Sequence, residues 1–237
     1  MVDLGSHSIS LPSLMTASLF HIFVCVRTRE GLTLEQFGRM GQTLDLVFLG
    51  PEKLEPNDLR ERLAELGLKV KRASSVFDWV EWTSHSRKPI ILAANVHHGL
   101  WDQYWAQLSL DSRTLRAFET TESRRSLVND FLDLGKRLWA LHPFYEGSLA
   151  AEEGGVLVSG KTKEQFQDIL RKMRTEEVLG SSYANFLGDQ AARKVQLEQW
   201  VYGLYAKASI QQIPRNGALI VWDATPEGFE KYLSAEF

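Results

Sequence analysis

The chain has 237 residues, of which 44% are hydrophobic and 24% are charged, the balance of an ordinary soluble globular protein. Its formal net charge of -3 is too small to indicate nucleic acid or an anionic membrane surface as a partner. The single cysteine, Cys25, excludes an intramolecular disulfide framework and a cysteine-based zinc site.

The N-terminal residues are predicted to precede the folded part of the chain. Residues 1–15 are interpreted as a loose leader, and residues 16–237 as a single α+β domain that could divide near residue 115. The apolar stretch Leu11–Val26 lacks a positive n-region and is too short to span a membrane. The expected location is therefore the cytoplasm.

The first hundred residues are predicted to alternate strands with helices, a pattern typical of α/β and α+β layers. The predicted elements are a strand over Ala17–Arg27, a helix capped by Thr33, a strand over Leu44–Leu49, a helix over Asp58–Leu68 that Asn57 caps and Gly67 stops, and strands over Leu68–Ala73 and Pro89–Val96. The stretch FDWVEW fits either a half-buried strand or a helix, and both interpretations stay open.

The C-terminal half is organised around a predicted amphipathic helix, Thr121–Leu141. Apolar residues recur there at spacings of three and four, Thr121 is a suitable N-cap, and Pro143 ends the helix. The other predicted elements are a helix over Leu100–Leu108, a hairpin of Ser148–Glu152 and Val156–Ser159, helices over Lys163–Arg174 and Asp189–Ala206, a hairpin of Ile210–Ile213 and Leu219–Trp222, and a last helix that opens at Pro226.

The expected fold is therefore α+β, with a mixed sheet. Strands and helices alternate in its N-terminal part, and its C-terminal half is rich in helices.

Side chains that could perform catalysis or bind a metal form no known motif. His97, His98 and Asp102 are the best metal candidates, but two adjacent histidines on a strand point to opposite faces and cannot bind one ion together. His21 and Cys25 lie about 13 Å apart on a strand, beyond hydrogen-bond reach. We therefore predict no catalytic residue, no metal and no cofactor. The alternative is a hydrolase or transferase with a site near His97, His98 and Asp102.

Two groups of residues are candidates for binding a partner protein. The first is Trp79 and Trp82 beside Asp78 and Glu81, because tryptophan is a preferred hot-spot residue of interfaces. The second is an acidic hairpin that carries Glu146, Glu152 and Glu153. Carboxylates around an aromatic side chain predict a basic partner surface, such as the phosphate-binding surface of a nuclease.

Two stretches carry a resemblance to a known family. They are DLGKRLWALHPFYEGSLAAEEGG (Asp133–Gly155) and GLWDQYWAQL (Gly99–Leu108). They resemble bacterial immunity proteins of polymorphic-toxin and type VI secretion systems, in particular the immunity protein 52 group and its TsiT-like members, which are cognates of restriction-endonuclease-fold toxins.

The resemblance implies a non-enzymatic cytoplasmic α+β protein that binds and neutralises one toxic effector. The resemblance offers no catalytic residues to carry over, and the small net charge leads us to expect no direct contact with nucleic acid or a membrane. The oligomeric state stays open. An adaptor or scaffold protein is a further alternative, which differs only in its partner.

Overall fold

The structure, a computed structural model, describes residues 42–50, 52–73, 77–84, 89–98, 104–151, 182–188 and 207–236. All of them belong to one compact unit, Gly41–Phe237. Several predictions lie outside these residues: the leader at 1–15, the strand Ala17–Arg27, the helix capped by Thr33, the strand Val156–Ser159, and the helices Lys163–Arg174 and Asp189–Ala206.

The described residues form nine strands and four helices. In chain order they are β1 (Thr43–Gly50), α1 (Pro56–Glu65), β2 (Lys69–Arg72), β3 (Asp78–Thr83), β4 (Pro89–His98), β5 (Tyr104–Asp111), α2 (Ser112–Arg116), α3 (Thr121–Leu141), β6 (Glu146–Ala151), β7 (Ala184–Leu187), β8 (Ser209–Ile213), β9 (Gly217–Val221) and α4 (Pro226–Glu236).

The nine strands build one sheet in the order β2-β3-β4-β5-β1-β6-β7-β9-β8, and every neighbouring pair is antiparallel. The α+β class is confirmed, but the predicted mixed sheet is wrong for these strands. The reason lies in the connections, since β2 to β5 follow one another without an intervening helix. A parallel pair needs a crossover of a dozen or more residues, usually a helix.

One face of the sheet is covered by helices. Leu44, Leu46 and Phe48 of β1 point to this face, and Gly135 of α3 lies so close to Leu46 and Phe186 that a Cβ there would approach both to 3.1–3.2 Å. We call it the helix-covered face, and we call the opposite side the second face. Within the described ranges, no helix is both long and apolar enough to cross a membrane.

An aromatic cluster lies at the centre of the helix-covered face. Phe48 packs against Phe144 and Phe186, each with a centroid distance of 5.0 Å, and Trp139 of α3 stacks on Phe186 at 5.8 Å. All four rings are buried. The cluster therefore joins the long helix to the central strands β1 and β7.

Several predicted elements are confirmed. They are the strand at β1, the exposed strand at β2, the strand at β4, the helix α3, the hairpin of β8 and β9, and the helix α4 with Pro226 at its first position. In the hairpin, Arg215 and Asn216 have φ values of 62° and 56°, which is the type I′ geometry that matches the twist of paired strands. Gly67 ends α1 with a φ of 83°, as predicted.

Two N-caps lie at other residues than predicted. Thr120 rather than Thr121 caps α3, and its side chain accepts a hydrogen bond from the Ser123 backbone N–H at 3.1 Å. Glu55 rather than Asn57 precedes α1, and Asp58 accepts a bond from the Glu55 backbone N–H.

The predicted helix Leu100–Leu108 is wrong, because residues 104–111 form β5. Ala106, Leu108 and Leu110 alternate as buried residues, while Gln107 and Ser109 point to the second face. That is a period of two, the signature of a strand. The aromatic spacing within LWDQYWAQL had suggested a helix instead.

The predicted hairpin of Ser148–Glu152 and Val156–Ser159 is confirmed only in its first strand, which corresponds to β6, because the second strand lies outside the described residues. Strand β6 begins at Glu146 and pairs with β1 on one side and β7 on the other. Both backbone edges of Glu146–Leu149 are therefore occupied by strands that are distant in sequence. Strand β7 was not predicted, since a stretch of four residues is too short to show a clear period.

Candidate functional site

Strand β3 separates the four residues that the sequence had grouped as one docking cluster. Asp78 and Trp82 are 6% and 3% exposed and point to the helix-covered face, whereas Trp79 and Glu81 alternate with them and are half-buried. Because side chains of a strand alternate between faces, the four residues cannot form one surface. FDWVEW is thus a strand, and only Trp79 and Glu81 are available to a partner.

Asp78 is an internal contact between α1 and the sheet. Arg60 of α1 donates two hydrogen bonds to its carboxylate, from Nε at 2.6 Å and from Nη2 at 2.9 Å. Hydrogen bonding to Asp78 raises the pKa of the Arg60 guanidinium against the opposing effect of burial. This fork geometry fixes α1 on the sheet, so the prediction of Asp78 as a surface carboxylate is wrong.

Strand β2 brings three cations next to β3. Lys69 lies opposite Glu81 and Arg72 lies opposite Trp79, and Lys71 forms an ion pair with Glu81 at 2.9 Å. All four residues of β2 are exposed. Within the described part of the chain, Lys69 and Arg72 form no ion pair.

These residues define what we call the edge surface, which lies on the second face over β2, β3 and β4. It consists of Lys69, Lys71, Arg72, Trp79, Glu81 and Ile91. Three cations stand against one carboxylate, so the surface is locally positive. The sequence predicts acidic residues around the tryptophan, but the charge of this surface has the opposite sign. Pairing of β2 with β3 brings three cations to the surface, and Asp78 points to the helix-covered face instead.

Apolar groups accompany these charges. Ile91 is 43% exposed and lies opposite Glu81, and Val70 of β2 is 40% exposed on the helix-covered side. They are the two exposed large hydrophobic residues in the described ranges. Trp79 packs edge-on against Phe77 with a centroid distance of 4.9 Å. A half-buried tryptophan on the same face as an exposed isoleucine and several charges is typical of a protein-docking surface.

Glu146 does not lie on a surface. Glu146 is 1% exposed, and it lies in register with Leu49 of β1 and Leu187 of β7. The interpretation of Glu146 as a solvent-facing carboxylate is wrong for this structure. Glu152 and Glu153, its predicted companions, lie outside the described residues.

Polar residues line the second face at the centre of the sheet, and the sequence alone does not reveal that they lie together. The strand register places the polar residues Asn95, Gln107, Ser148 and Asn185 in one row across five strands, with the apolar Val47 of β1 at its middle. Asn185 accepts hydrogen bonds from Trp222 Nε1 at 2.6 Å and from Ser182 Oγ at 3.2 Å. Each residue carries the period-two signal of its own strand, but the row exists only once the strands are paired.

Ser148 is the nucleophilic side chain of this row. It is fully buried, and its Oγ has no hydrogen-bond partner among the described residues. Its neighbours in register are Val47 and Asn185, neither of which is a base. Activation of a serine needs an adjacent general base, so the described row does not supply a serine–base pair.

His97 and His98 end β4, opposite Trp105 and Tyr104 respectively, and Asp102 lies outside the described residues. In the described ranges, no three His, Cys, Asp or Glu residues come together as a metal site. The alternative enzyme site near His97, His98 and Asp102 therefore stays a prediction.

His142 lies at the C-terminal end of α3. It is 2% exposed and packs against Phe144 with a centroid distance of 4.6 Å, and neither ring nitrogen has a hydrogen-bond partner within the described chain. Burial lowers the pKa of the His142 imidazole, and the charge of Arg62 lowers it further. This histidine is therefore a neutral core residue near pH 7.

Comparisons of this chain with protein-family models, with curated proteins and with solved structures give no match.

Proposed function

We propose that this protein is an immunity protein, which binds and neutralises a toxic effector in the cytoplasm without catalysing a reaction. The observation that supports the proposal is the edge surface, where Trp79 and Ile91 lie partly exposed on a sheet that holds them rigidly. Aromatic side chains on rigid supports lose little entropy on binding and contribute most of the affinity of protein interfaces.

The sign of the charge on this surface changes the partner that we expect. Three cations against one carboxylate favour an acidic patch on the effector. A nuclease that uses Mg²⁺ holds the ion through carboxylates, so a cationic surface can cover such an active site. We therefore retain a nuclease-like effector but place its acidic side, rather than its phosphate-binding side, against the edge surface.

Two finer predictions accompany this proposal. The C-terminal half is proposed to be rich in helices through Lys163–Arg174 and Asp189–Ala206. Glu152 and Glu153 are proposed as a second, acidic contact with the effector.

The experiment is growth rescue of a bacterium that expresses the adjacent open reading frame under tight control. We expect the wild-type protein to restore growth and Trp79→Ala to reduce the rescue. Lys207→Ala is the matched control, because Lys207 is exposed and precedes β8 at the other end of the sheet. Circular dichroism checks that both variants fold.

The outcomes separate the parts of the proposal. Rescue that fails only on charge reversal of Glu152 and Glu153 would move the interface away from the edge surface. Absence of any rescue by the wild-type protein would contradict the immunity function and direct attention to the hydrolase or transferase alternative.

A further inference from the structure

In the sheet that the described strands form, the outer side of β2 is an open edge. Among the described strands β2 pairs with β3 alone, and it stands first in the strand order. All four of its residues are exposed. An edge strand presents a row of backbone N–H and C=O groups, which an extended segment of another chain can use for pairing.

The two sides of this strand differ in chemistry. On the second face, Lys69 and Arg72 stand opposite Glu81 and Trp79, and Lys71 reaches the Glu81 carboxylate. On the helix-covered side, Val70 is opposite Val80 and is 40% exposed. A strand added to this edge would alternate in the same way, with every second side chain beside the cations and the others beside Val70.

A second copy of this chain is a poor occupant of the edge. Two β2 strands side by side would bring three cations of one copy against three of the other. Like charges directly opposite each other destabilise a strand pair. The cations therefore protect the edge from self-pairing and leave it open to an acidic strand.

We propose that β2 binds, by strand addition, an extended segment of the partner in which acidic and apolar residues alternate. The inference rests on the proposed function for the identity of that partner as the effector. Its backbone pairs with the outer side of β2, its carboxylates face Lys69, Lys71 and Arg72, and its apolar residues extend the surface of Val70.

The probe is a ten-residue peptide that alternates glutamate and valine, with blocked ends and a fluorescent label. Three reagents serve as comparisons: the same peptide with N-methyl groups on alternate backbone nitrogens, a lysine–valine peptide, and a ten-nucleotide oligothymidylate. Binding to the full-length protein is followed by fluorescence anisotropy at low salt. Amide hydrogen exchange of Lys69–Arg72 reports whether the backbone of β2 is engaged.

We expect the glutamate–valine peptide to bind and to slow amide exchange in β2, while N-methylation abolishes both effects. The double variant Lys69→Glu and Arg72→Glu should weaken binding roughly tenfold or more, because two favourable charge contacts become repulsive. Lys207→Glu is the matched charge reversal at the opposite edge, roughly 38 Å away across eight strand spacings, and should change affinity less than about twofold. Unchanged thermal unfolding shows that the variants fold.

Three results would overturn the inference: binding that survives N-methylation, equal affinity for the lysine–valine peptide, or tighter binding of the oligothymidylate. Growth rescue separates this inference from the proposed function. Rescue by the double variant as strong as by wild type would leave the immunity function standing and remove the strand addition. If the peptide binds as expected but the protein neutralises no effector, the strand addition would stand and the immunity function would be contradicted.

Discussion

Residues are buried in the central strand β6 and exposed in the edge strand β2. All six residues of β6 are buried, including Glu146 and Ser148, whereas all four residues of β2 are exposed. Both strands contain charged side chains. A strand between two others has no free backbone edge, and in β6 both faces are also covered. Strand β2, in contrast, has one neighbour among the described strands, and its charged side chains are exposed. We therefore expect the centre to contribute most of the stability, and we propose the edge as the place where a partner binds.

Two tryptophans allow this comparison to be tested on one residue type. Trp139 lies in the aromatic cluster with Phe48, Phe144 and Phe186, and its Nε1 donates to Pro214 O at 3.2 Å. Trp139→Ala should cost about 3–5 kcal/mol of unfolding free energy, because it leaves a large cavity in a packed core. Trp79→Ala should cost about 1 kcal/mol, since the ring is half-buried.

Urea unfolding measures both values, and equal m-values would show that the two unfolded states are comparable. A loss for Trp79→Ala as large as for Trp139→Ala would remove the distinction between centre and edge.

The ion pair of Arg60 and Asp78 joins β3, next to the edge of the sheet, to the helix α1. Its removal should lower the free energy of unfolding by an amount between those expected for Trp139→Ala and Trp79→Ala. Arg60→Ala leaves the buried Asp78 carboxylate without its two bonds from the guanidinium, and we expect a loss of about 1–2 kcal/mol. Arg60→Lys should recover only part of the lost free energy, because an ammonium cannot donate the two parallel hydrogen bonds of a guanidinium.

Arg113→Ala is the control for Arg60→Ala, since the Arg113–Asp111 pair is more exposed and should matter less for stability. An equal loss for the two alanine variants, measured by the same urea titration, would contradict this ranking.

His142 should make the stability of the protein depend on pH, and this effect should be smaller than those of removing Trp139 or the Arg60–Asp78 ion pair. Its folded pKa lies below the ordinary value of about 6.5, so the unfolded chain binds the proton more readily than the folded one. Stability is therefore complete above about pH 6.5 and falls as the pH drops towards the folded pKa. Arg62 and Arg215 oppose the charged imidazole, whereas Glu52 and Asp58 favour it.

His142→Leu should flatten this part of the pH profile, because a leucine has no proton to bind. Thermal unfolding of wild type and variant between pH 7.5 and 5.5 gives the difference. The slope for one histidine cannot exceed about 1.4 kcal/mol per pH unit, and parallel profiles for the two proteins would exclude His142 as the cause.

Local pattern was enough to predict several elements of this fold. The helix α3 follows from apolar spacings of three and four, and the β8–β9 hairpin follows from Pro214-Arg215-Asn216-Gly217. In both cases the residues that determine the structure lie close together in sequence. The sequence of β5 fits both a helical spacing of aromatic residues and the period of two of a strand. Its pairing with β1 and β4 selects the strand, and that pairing is not visible in the local sequence.

The candidate site depended even more on pairing. The sequence singled out Trp79 and Glu81, which share one face of β3 and are half-buried, but it grouped them with Asp78 and Trp82, which point to the other face. It also missed the cations of β2, which join the surface only because Arg72 lies opposite Trp79. A residue's type is visible in the sequence, but its neighbours across strands are not.

The position of β1 has a consequence for how this chain is made. Its residues pair with β5 and with β6, and Leu44 meets Ala151 roughly 100 residues further along the chain. At ribosomal speeds of about 5–20 residues per second, β1 waits roughly 5–20 s for its second neighbour. During that interval a strand rich in leucine has an unpaired side, so protection of the nascent chain matters most before β6 leaves the ribosome.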